Sequence, residues 1–234
     1  MEALFVDNVS GHEAVQPQSR DVPVLPVFSL TLHTPGSDNR RETEQFIHQR
    51  FAHHYGANLA FFLPLLLSAS SENGIKAALG FQTGKQSQLF LEQYLDCDIA
   101  TTLSLLTQSQ IDRDNVVEIG NLASGRQRAT QTLFLLLAQI LHGAGYEWVV
   151  FTANRGVRTW LATLQLPTLL IREADPSRLN DEGRSWGRYY DDRPVVLAAN
   201  IEQSFCQINT HPLMAQLRDS YATQIAAFQA QLAP

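Results

Sequence analysis

One stretch in the second half of the chain constrains the fold most, because strand and helix patterns alternate in it. Its strands are apolar throughout, which is typical of strands covered on both faces, and its first helix ends at a Gly-Ala-Gly stop. The predicted elements are, in order, a strand at 115–123, a helix at 127–143, a strand at 146–152, a helix at 154–164 and a strand at 168–172. A helix that connects two neighbouring strands in this way makes the two strands parallel.

The first half of the chain has the patterns of an edge strand, a helix and a hairpin. Residues 22–33 alternate in polarity and contain two prolines, which edge strands tolerate. Residues 40–55 place their apolar side chains on one helical face. The apolar runs 59–68 and 75–82 flank an Asn-Gly turn, which predicts an antiparallel hairpin.

The last part of the chain predicts a strand at 194–201 and then a long amphipathic helix. The apolar stripe of this helix consists of Met214, Leu217, Tyr221, Ile225, Phe228 and Leu232. It must be buried on the same domain or on a second copy, so a homodimer is one interpretation. We expect a loose tail at 1–21, one α+β domain of three-layer type at 22–201, and a C-terminal helical extension at 202–234.

Composition and motif content exclude several classes of protein. Seventeen Lys and Arg against 23 Asp and Glu give a net charge of −6, so we expect no nucleic acid partner. We also expect a cytoplasmic protein without membrane insertion, because a secretory pattern and a run of ~20 apolar residues are both missing. His48, His53 and His54 have no carboxylate or cysteine at ligand spacing, so we expect no metal.

The turn between the strand at 115–123 and the helix at 127–143 is the best candidate for an anion site. A turn that opens a helix presents backbone N–H groups and the positive end of the helix dipole. Arg126 and Arg128 would add two positive charges. The alternative is an ordinary turn with solvated arginines.

This arrangement resembles the acyl-CoA-binding half of the GNAT acyltransferase superfamily. There, a Q/R-x-x-G-x-G/A turn holds the CoA pyrophosphate, and an N-x-x-A-x-x-x-Y pattern follows the next strand. Arg126 begins the first pattern here, but Ala129 and Gln131 replace its small residues. Asn154 begins the second pattern, and Leu161 replaces the tyrosine that often acts as general acid.

A more specific resemblance extends over residues 24–201. Four blocks occur in the order of the thermostable hemolysin family: QLFLEQYLD at 88–96, VVEIGNLAS at 116–124, WVVFTANRGVRTWLATLQLP at 148–167 and WGRYYDDRPVV at 186–196. The resemblance implies a GNAT-like mixed twisted sheet flanked by helices, similar also to acyl-homoserine-lactone synthases. Those enzymes use a carrier-protein thioester, so the implied co-substrate is acyl-CoA or an acyl-carrier-protein thioester.

The resemblance implies that the thioester lies along the end of one strand and the starts of two helices. The implied binding positions are Leu122, Ala123, Ser124, Arg126, Gln127, Arg128, Ala129, Thr130, Asn154 and Arg158. Backbone N–H groups around 122–124 could hold the oxyanion or the pantetheine. For Arg158, an exposed helix arginine is the alternative.

The candidate catalytic residues are Glu118 and Asn121. Acyl transfer needs a base, and the synthases have E-x-x-R on the equivalent strand, where this chain has Glu118 and Asn121. In a regular strand Glu118 shares a face with Gly120 and Leu122, whereas Asn121 and Ala123 face the other way. The two candidates therefore need a bulge to act on one substrate. The alternative for Glu118 is a carboxylate paired at the sheet edge.

Two further groups of residues are candidates for the site. Glu92 and Asp96 are the next carboxylates, although a solvated acidic face is an equal interpretation. Trp186, Tyr189 and Tyr190 lie in a polar segment, where they could line a substrate mouth or cover the end of the core.

The leading functional hypothesis is a GNAT-type acyltransferase that moves an acyl group from the thioester to a small-molecule amine or hydroxyl. The acyl donor could be carried by a partner acyl carrier protein. The alternatives are a membrane-damaging cytolysin, as the family name implies, and a thioester-binding module without catalysis.

Overall fold

A seven-stranded mixed sheet with helices on both faces forms the protein. The computed structural model describes residues 28–85, 88–125, 127–210 and 214–232. The strands are β1 (Ser29–His33), β2 (Leu65–Ser71), β3 (Gly74–Thr83), β4 (Val116–Ser124), β5 (Trp148–Ala153), β6 (Leu169–Glu173) and β7 (Val195–Asn200). The helices are α1 (Arg40–Tyr55), α2 (Ile99–Thr107), α3 (Gln127–Gly143), α4 (Arg155–Thr163), α5 (Ile201–Asn209) and α6 (Met214–Leu232). The predicted α+β class is confirmed.

The strand order is β1-β2-β3-β4-β5-β7-β6. β4 and β5 are parallel, as predicted, and the other neighbours are antiparallel. The expectation that β5 and β6 are adjacent is wrong, because β7 lies between them. β7 is buried along almost its whole length and therefore takes an interior position, whereas the half-exposed β6 forms the edge.

The predicted hairpin is present but begins later than expected. β2 starts at Leu65 rather than at residue 59, and residues 57–64 form a loop instead. Pro64 has no N–H for a ladder, and the guanidinium of Arg40 holds the loop by donating to the carbonyls of Leu63 (2.8 Å) and Pro64 (2.5 Å). The tail at 1–21 and the start of the predicted first strand lie outside the described residues.

β4 contains the bulge that the two catalytic candidates need. Ala123 pairs with Ala78 and Gly120 with Gly80, so two residues of β4 oppose one residue of β3. Asn121, in the bulge, has a φ of 51°. The expected assignment of faces is therefore wrong beyond Gly120, because the extra residue reverses the alternation: Leu122 packs with the α3 side and Ala123 with the α1 side.

The C-terminal stripe packs on the chain's own domain. Its six members are buried in the main core, and α6 runs against α3. The Tyr221 hydroxyl accepts from the Phe28 N–H at 2.7 Å, and the Tyr146 hydroxyl donates to the Leu232 carbonyl at 2.9 Å. The stripe is therefore no evidence for a homodimer, which stays a prediction. Among the described helices, none is long and apolar enough to cross a membrane.

Candidate active site

A largely apolar cleft lies where β4 and β5 separate. Their pairing ends at Ile119 and Phe151, but β4 continues to Ser124. The cleft encloses about 930 Å³, including its open mouth. β4 contributes residues 118–124, and the surrounding elements contribute Arg50, Phe51, His54, Tyr55, Phe90, Tyr94, Phe134, Phe151, Thr152, Val157, Trp186 and Tyr189.

Glu118 lines this cleft and is 3% exposed. Its carboxylate accepts hydrogen bonds from the backbone N–H groups of Phe90 (2.6 Å) and Leu91 (3.0 Å), in the first turn of a 3-10 helix at Phe90–Tyr94. Burial raises its pKa from 4.5 to about 8, and the two hydrogen bonds oppose that rise only in part. A carboxyl with a pKa near neutrality can exchange a proton with a substrate.

Glu92 stabilises the segment that holds Glu118. Its buried carboxylate forms two hydrogen bonds with the Arg113 guanidinium and accepts from the N–H groups of Leu89 (2.8 Å) and Ile99 (2.7 Å). Burial favours the neutral acid, but these bonds outweigh it and lower the pKa of Glu92. Glu92 is thus a structural anion outside the cleft, and the exposed Asp96 pairs with two arginines.

Asn121 lines the cleft and also fixes its wall. Its side-chain oxygen accepts from the Leu63 N–H at 2.8 Å, and its amide nitrogen donates to the Phe61 carbonyl at 3.3 Å. The bulge turns it to the face of Glu118, but both ends of its amide already bind the 57–64 loop. A β-carbon on Gly80 would lie 2.8 Å from the Asn121 oxygen, so this contact requires glycine.

The expected anion turn is only partly described. Arg126 lies outside the described residues, and Gln127 begins α3. Arg128 is exposed, whereas Ala129 and Thr130 are buried beneath the turn. The side chain of Ala129 packs in the main core. The role of these positions in anion binding stays a prediction.

The second expected pattern begins at the N-cap of α4. The Asn154 side-chain oxygen accepts from the Val157 N–H at 2.9 Å, and its amide donates to the Tyr55 hydroxyl at 3.0 Å. Asn154 is 1% exposed and thus orients α4, while Arg158 is exposed. Because β4 and β5 are parallel, α3 and α4 both begin at the same edge of the sheet, beside the cleft.

The α1 side of the cleft carries Arg50, which the sequence analysis did not single out, and His54, which it considered only as a metal ligand. The Arg50 Nε is buried and has no hydrogen-bond partner among the described residues. His54 also lines the cleft, and burial, with Arg50 nearby, lowers its pKa. These two residues are four apart on the predicted helix, so the sequence indicates that they share a face. The sequence does not indicate that this face lies over β4.

The residues of the aromatic segment line the cleft and also cover the core. Trp186 and Tyr189 line the cleft, whereas the Tyr190 hydroxyl bonds that of Tyr94 at 2.6 Å. Burial raises the pKa of Tyr190 to about 12 and raises the pKa of Tyr94 further, so both stay neutral phenols. In the described part of the chain no group of three His, Cys, Asp or Glu side chains is placed to hold a metal.

Solved structures with this architecture include enzymes that transfer acyl groups. The AHL synthase LasI matches with a TM-score of 0.52 at 10% identity, covering 78% of this chain and 96% of LasI. FeeM, an N-acyl amino acid synthase from uncultured soil microbes, matches with a TM-score of 0.52 at 11% identity, covering 76% of this chain and 98% of FeeM. The CoA-dependent acyl-homoserine lactone synthase BjaI matches with a TM-score of 0.50 at 10% identity, covering 78% and 88%. The protein thus has the fold of these acyl-transferring enzymes.

Residues 33–205 match the thermostable hemolysin family, and the chain belongs to that family. No curated protein matches the sequence.

Proposed function

We propose that this protein is a GNAT-type acyltransferase that moves an acyl group from a thioester to an amine or hydroxyl. The observation that carries the proposal is the buried carboxyl of Glu118, with a pKa of about 8, in the cleft between the separating ends of β4 and β5. The shared fold of LasI, FeeM and BjaI supports it. The expected location is the cytoplasm.

In the proposed reaction, Glu118 removes a proton from the acceptor as its nitrogen or oxygen attacks the thioester carbonyl carbon. Backbone N–H groups along residues 122–124 stabilise the oxyanion of the tetrahedral intermediate. The carbon–sulfur bond then breaks and the thiolate leaves. The proton on Glu118 is released to the thiolate or to water, which returns the enzyme to its starting state.

The donor is a phosphopantetheine thioester, on CoA or on a carrier protein. The starts of α3 and α4 supply two positive helix ends at the cleft, and the exposed Arg128 and Arg158 add charge at the same edge. Ala129 and Gln131 replace the small residues of the GNAT turn, which favours a donor that depends little on a pyrophosphate loop.

Arg50 is the proposed contact for a negative group of the acceptor. An arginine side chain that lines a cleft, with no partner for its Nε in the described part of the chain, favours an anionic ligand there. An acceptor with an amine for Glu118 and a carboxylate for Arg50 would meet both groups. FeeM, which shares the fold, is an N-acyl amino acid synthase, and this supports an amino acid as acceptor.

The test combines ligand binding with thiol release. Thermal unfolding is measured with octanoyl-CoA, free CoA and an octanoyl-loaded carrier protein, and free thiol is measured with a panel of amino acids. We expect one of the donors to raise the midpoint temperature of thermal unfolding. We also expect thiol to be released only when an acceptor is present. Binding without thiol release would indicate a module without catalysis. Dye release from vesicles in the absence of any thioester would instead support the cytolysin alternative.

Glu118→Gln tests the role of Glu118 as base independently of donor binding. We expect it to lower the turnover number by about 10² to 10⁴ and to leave the thermal shift by the donor in place. Glu173→Gln, the same change at an exposed glutamate of β6, is the matched control. Full turnover in Glu118→Gln would reject Glu118 as the base.

A further inference from the structure

A second, apolar pocket of about 480 Å³, including its open mouth, adjoins the cleft. The two spaces share Ile119, Phe134 and Phe151, so the second pocket, here called the side chamber, continues from the β4–β5 gap towards α5. Aliphatic side chains of α3, β5 and α4 form most of its wall. On the proposed function, the acyl chain of the thioester enters this space.

Ser204 on α5 is the unexplained group in the side chamber. It is 6% exposed, it lines the chamber, and its hydroxyl has no hydrogen-bond partner among the described residues. Buried hydroxyls are normally paired, because an unpaired one destabilises the fold. Water is a poor partner here, since a buried water needs two to four polar contacts and Thr168 is the only other polar residue of the described lining.

We infer that Ser204 binds an oxygen atom carried far along the acyl chain. This inference rests on the proposed function and specifies the donor: a medium-length acyl group with a hydroxyl or keto oxygen near its distal end. The Ser204 hydroxyl donates to that oxygen or accepts from it, and the aliphatic wall contacts the methylene groups between it and the thioester.

The sheet geometry gives a lower limit for the distance between this oxygen and the thioester. Ser204 follows β7, and β7 is two strands away from β4, which bears Glu118. Two strand spacings amount to roughly 10 Å. An extended chain advances about 1.2 Å per bond, because three backbone bonds span 3.3–3.6 Å. Ser204 lies on α5, beyond the end of β7, so this spacing is a lower limit. The oxygen therefore lies at least about eight bonds from the thioester carbonyl, and not at the third carbon.

The probes are acyl-pantetheines, which share the thioester of both donor types. Binding of octanoyl-, 3-hydroxyoctanoyl- and 8-hydroxyoctanoyl-pantetheine is measured by calorimetry. We expect the wild-type protein to bind the 8-hydroxy probe about threefold to tenfold more tightly than the octanoyl probe, as one buried hydrogen bond provides. In Ser204→Ala the preference should reverse, because the hydroxyl of the ligand then enters an apolar space unpaired.

Two further variants keep the test specific. Thr168→Val removes the other hydroxyl of the chamber and should leave the preference unchanged. Ala138→Phe fills the chamber and should weaken octanoyl binding while acetyl-pantetheine still binds. Each methylene accommodated in the wild type should strengthen binding about fourfold.

The outcomes separate this inference from the proposed function. If Ser204→Ala keeps the wild-type preference, or if the 3-hydroxy probe is preferred, the role of Ser204 is rejected while acyl transfer stands. If Ala138→Phe leaves octanoyl binding intact, the acyl chain binds outside the side chamber. If neither pantetheine, CoA nor carrier-protein thioesters bind, the proposed function fails and the inference fails with it.

Discussion

Replacing Glu118 with glutamine tests the buried acid at the centre of the cleft. The two carboxylate oxygens accept from different N–H groups, one from Phe90 and one from Leu91. Glutamine has one accepting oxygen, so one N–H group loses its partner. This loss costs about 1 to 3 kcal/mol at every pH.

The ionisation of Glu118 adds a contribution that depends on pH. Its pKa is about 8 in the folded protein and near 4.5 when unfolded. Between these values the unfolded chain binds fewer protons than the folded one, so the free energy of unfolding falls as the pH rises. With about 1.4 kcal/mol per pKa unit, the loss is about 1 kcal/mol at pH 5 and about 5 kcal/mol at pH 9.

The assay is urea unfolding of wild type and Glu118→Gln at pH 5, 7 and 9. The stability of the variant relative to wild type should improve by about 4 kcal/mol between pH 5 and pH 9, because glutamine does not ionise. Glu173→Gln, at an exposed glutamate of β6, is the control. If the base assignment is also right, kcat/KM of the wild type rises with pH through an apparent pKa near 8.

A stability difference that does not change with pH would refute the reasoning. It would mean that Glu118 ionises in the folded protein as readily as in water. The cleft would then hold a fully charged carboxylate at neutral pH.

Three other substitutions test separate parts of the structure by urea unfolding. Arg113→Met leaves the buried Glu92 carboxylate unpaired and should lower the free energy of unfolding by about 3 kcal/mol; a loss below 1 kcal/mol would reject the anchoring role of this pair. Gly80→Ala places a β-carbon 2.8 Å from the Asn121 oxygen and should cost about 2 kcal/mol, whereas an unchanged midpoint would mean that the loop contact is dispensable. Ser204→Ala removes a buried hydroxyl that has no partner among the described residues and should raise stability by about 1 kcal/mol; a loss of similar size would indicate a hydrogen bond in the free protein.

Local pattern was sufficient for most of the secondary structure. The bounds of α1 and α3 agree with the sequence prediction, because an amphipathic or apolar period of 3.6 and a glycine stop are properties of the segment itself. The parallel pair β4 and β5 also followed from local order, since a helix between two apolar strands forces a crossover. The position of β7 between β5 and β6 depended on burial by distant elements.

The candidate site shows the same division. The residue types and spacing of Glu118 and Asn121 were visible in the sequence, as was their need for a bulge. The bulge itself depends on pairing with β3, and the raised pKa of Glu118 depends on burial beneath the Phe90 turn, about 28 positions away in the chain. Arg50 was visible only as one residue of a helix face.

The sequence alone determined most of the segments that become helices and strands, and it placed a carboxylate on the strand that forms the cleft. Only the tertiary structure decided which strands are neighbours, which face each residue of β4 takes beyond Gly120, and which groups of α1 and α5 reach the cavities. The physical reason is that periodicity is a local property of the chain. Burial, strand register and the pKa of a carboxyl depend on atoms that only folding brings together.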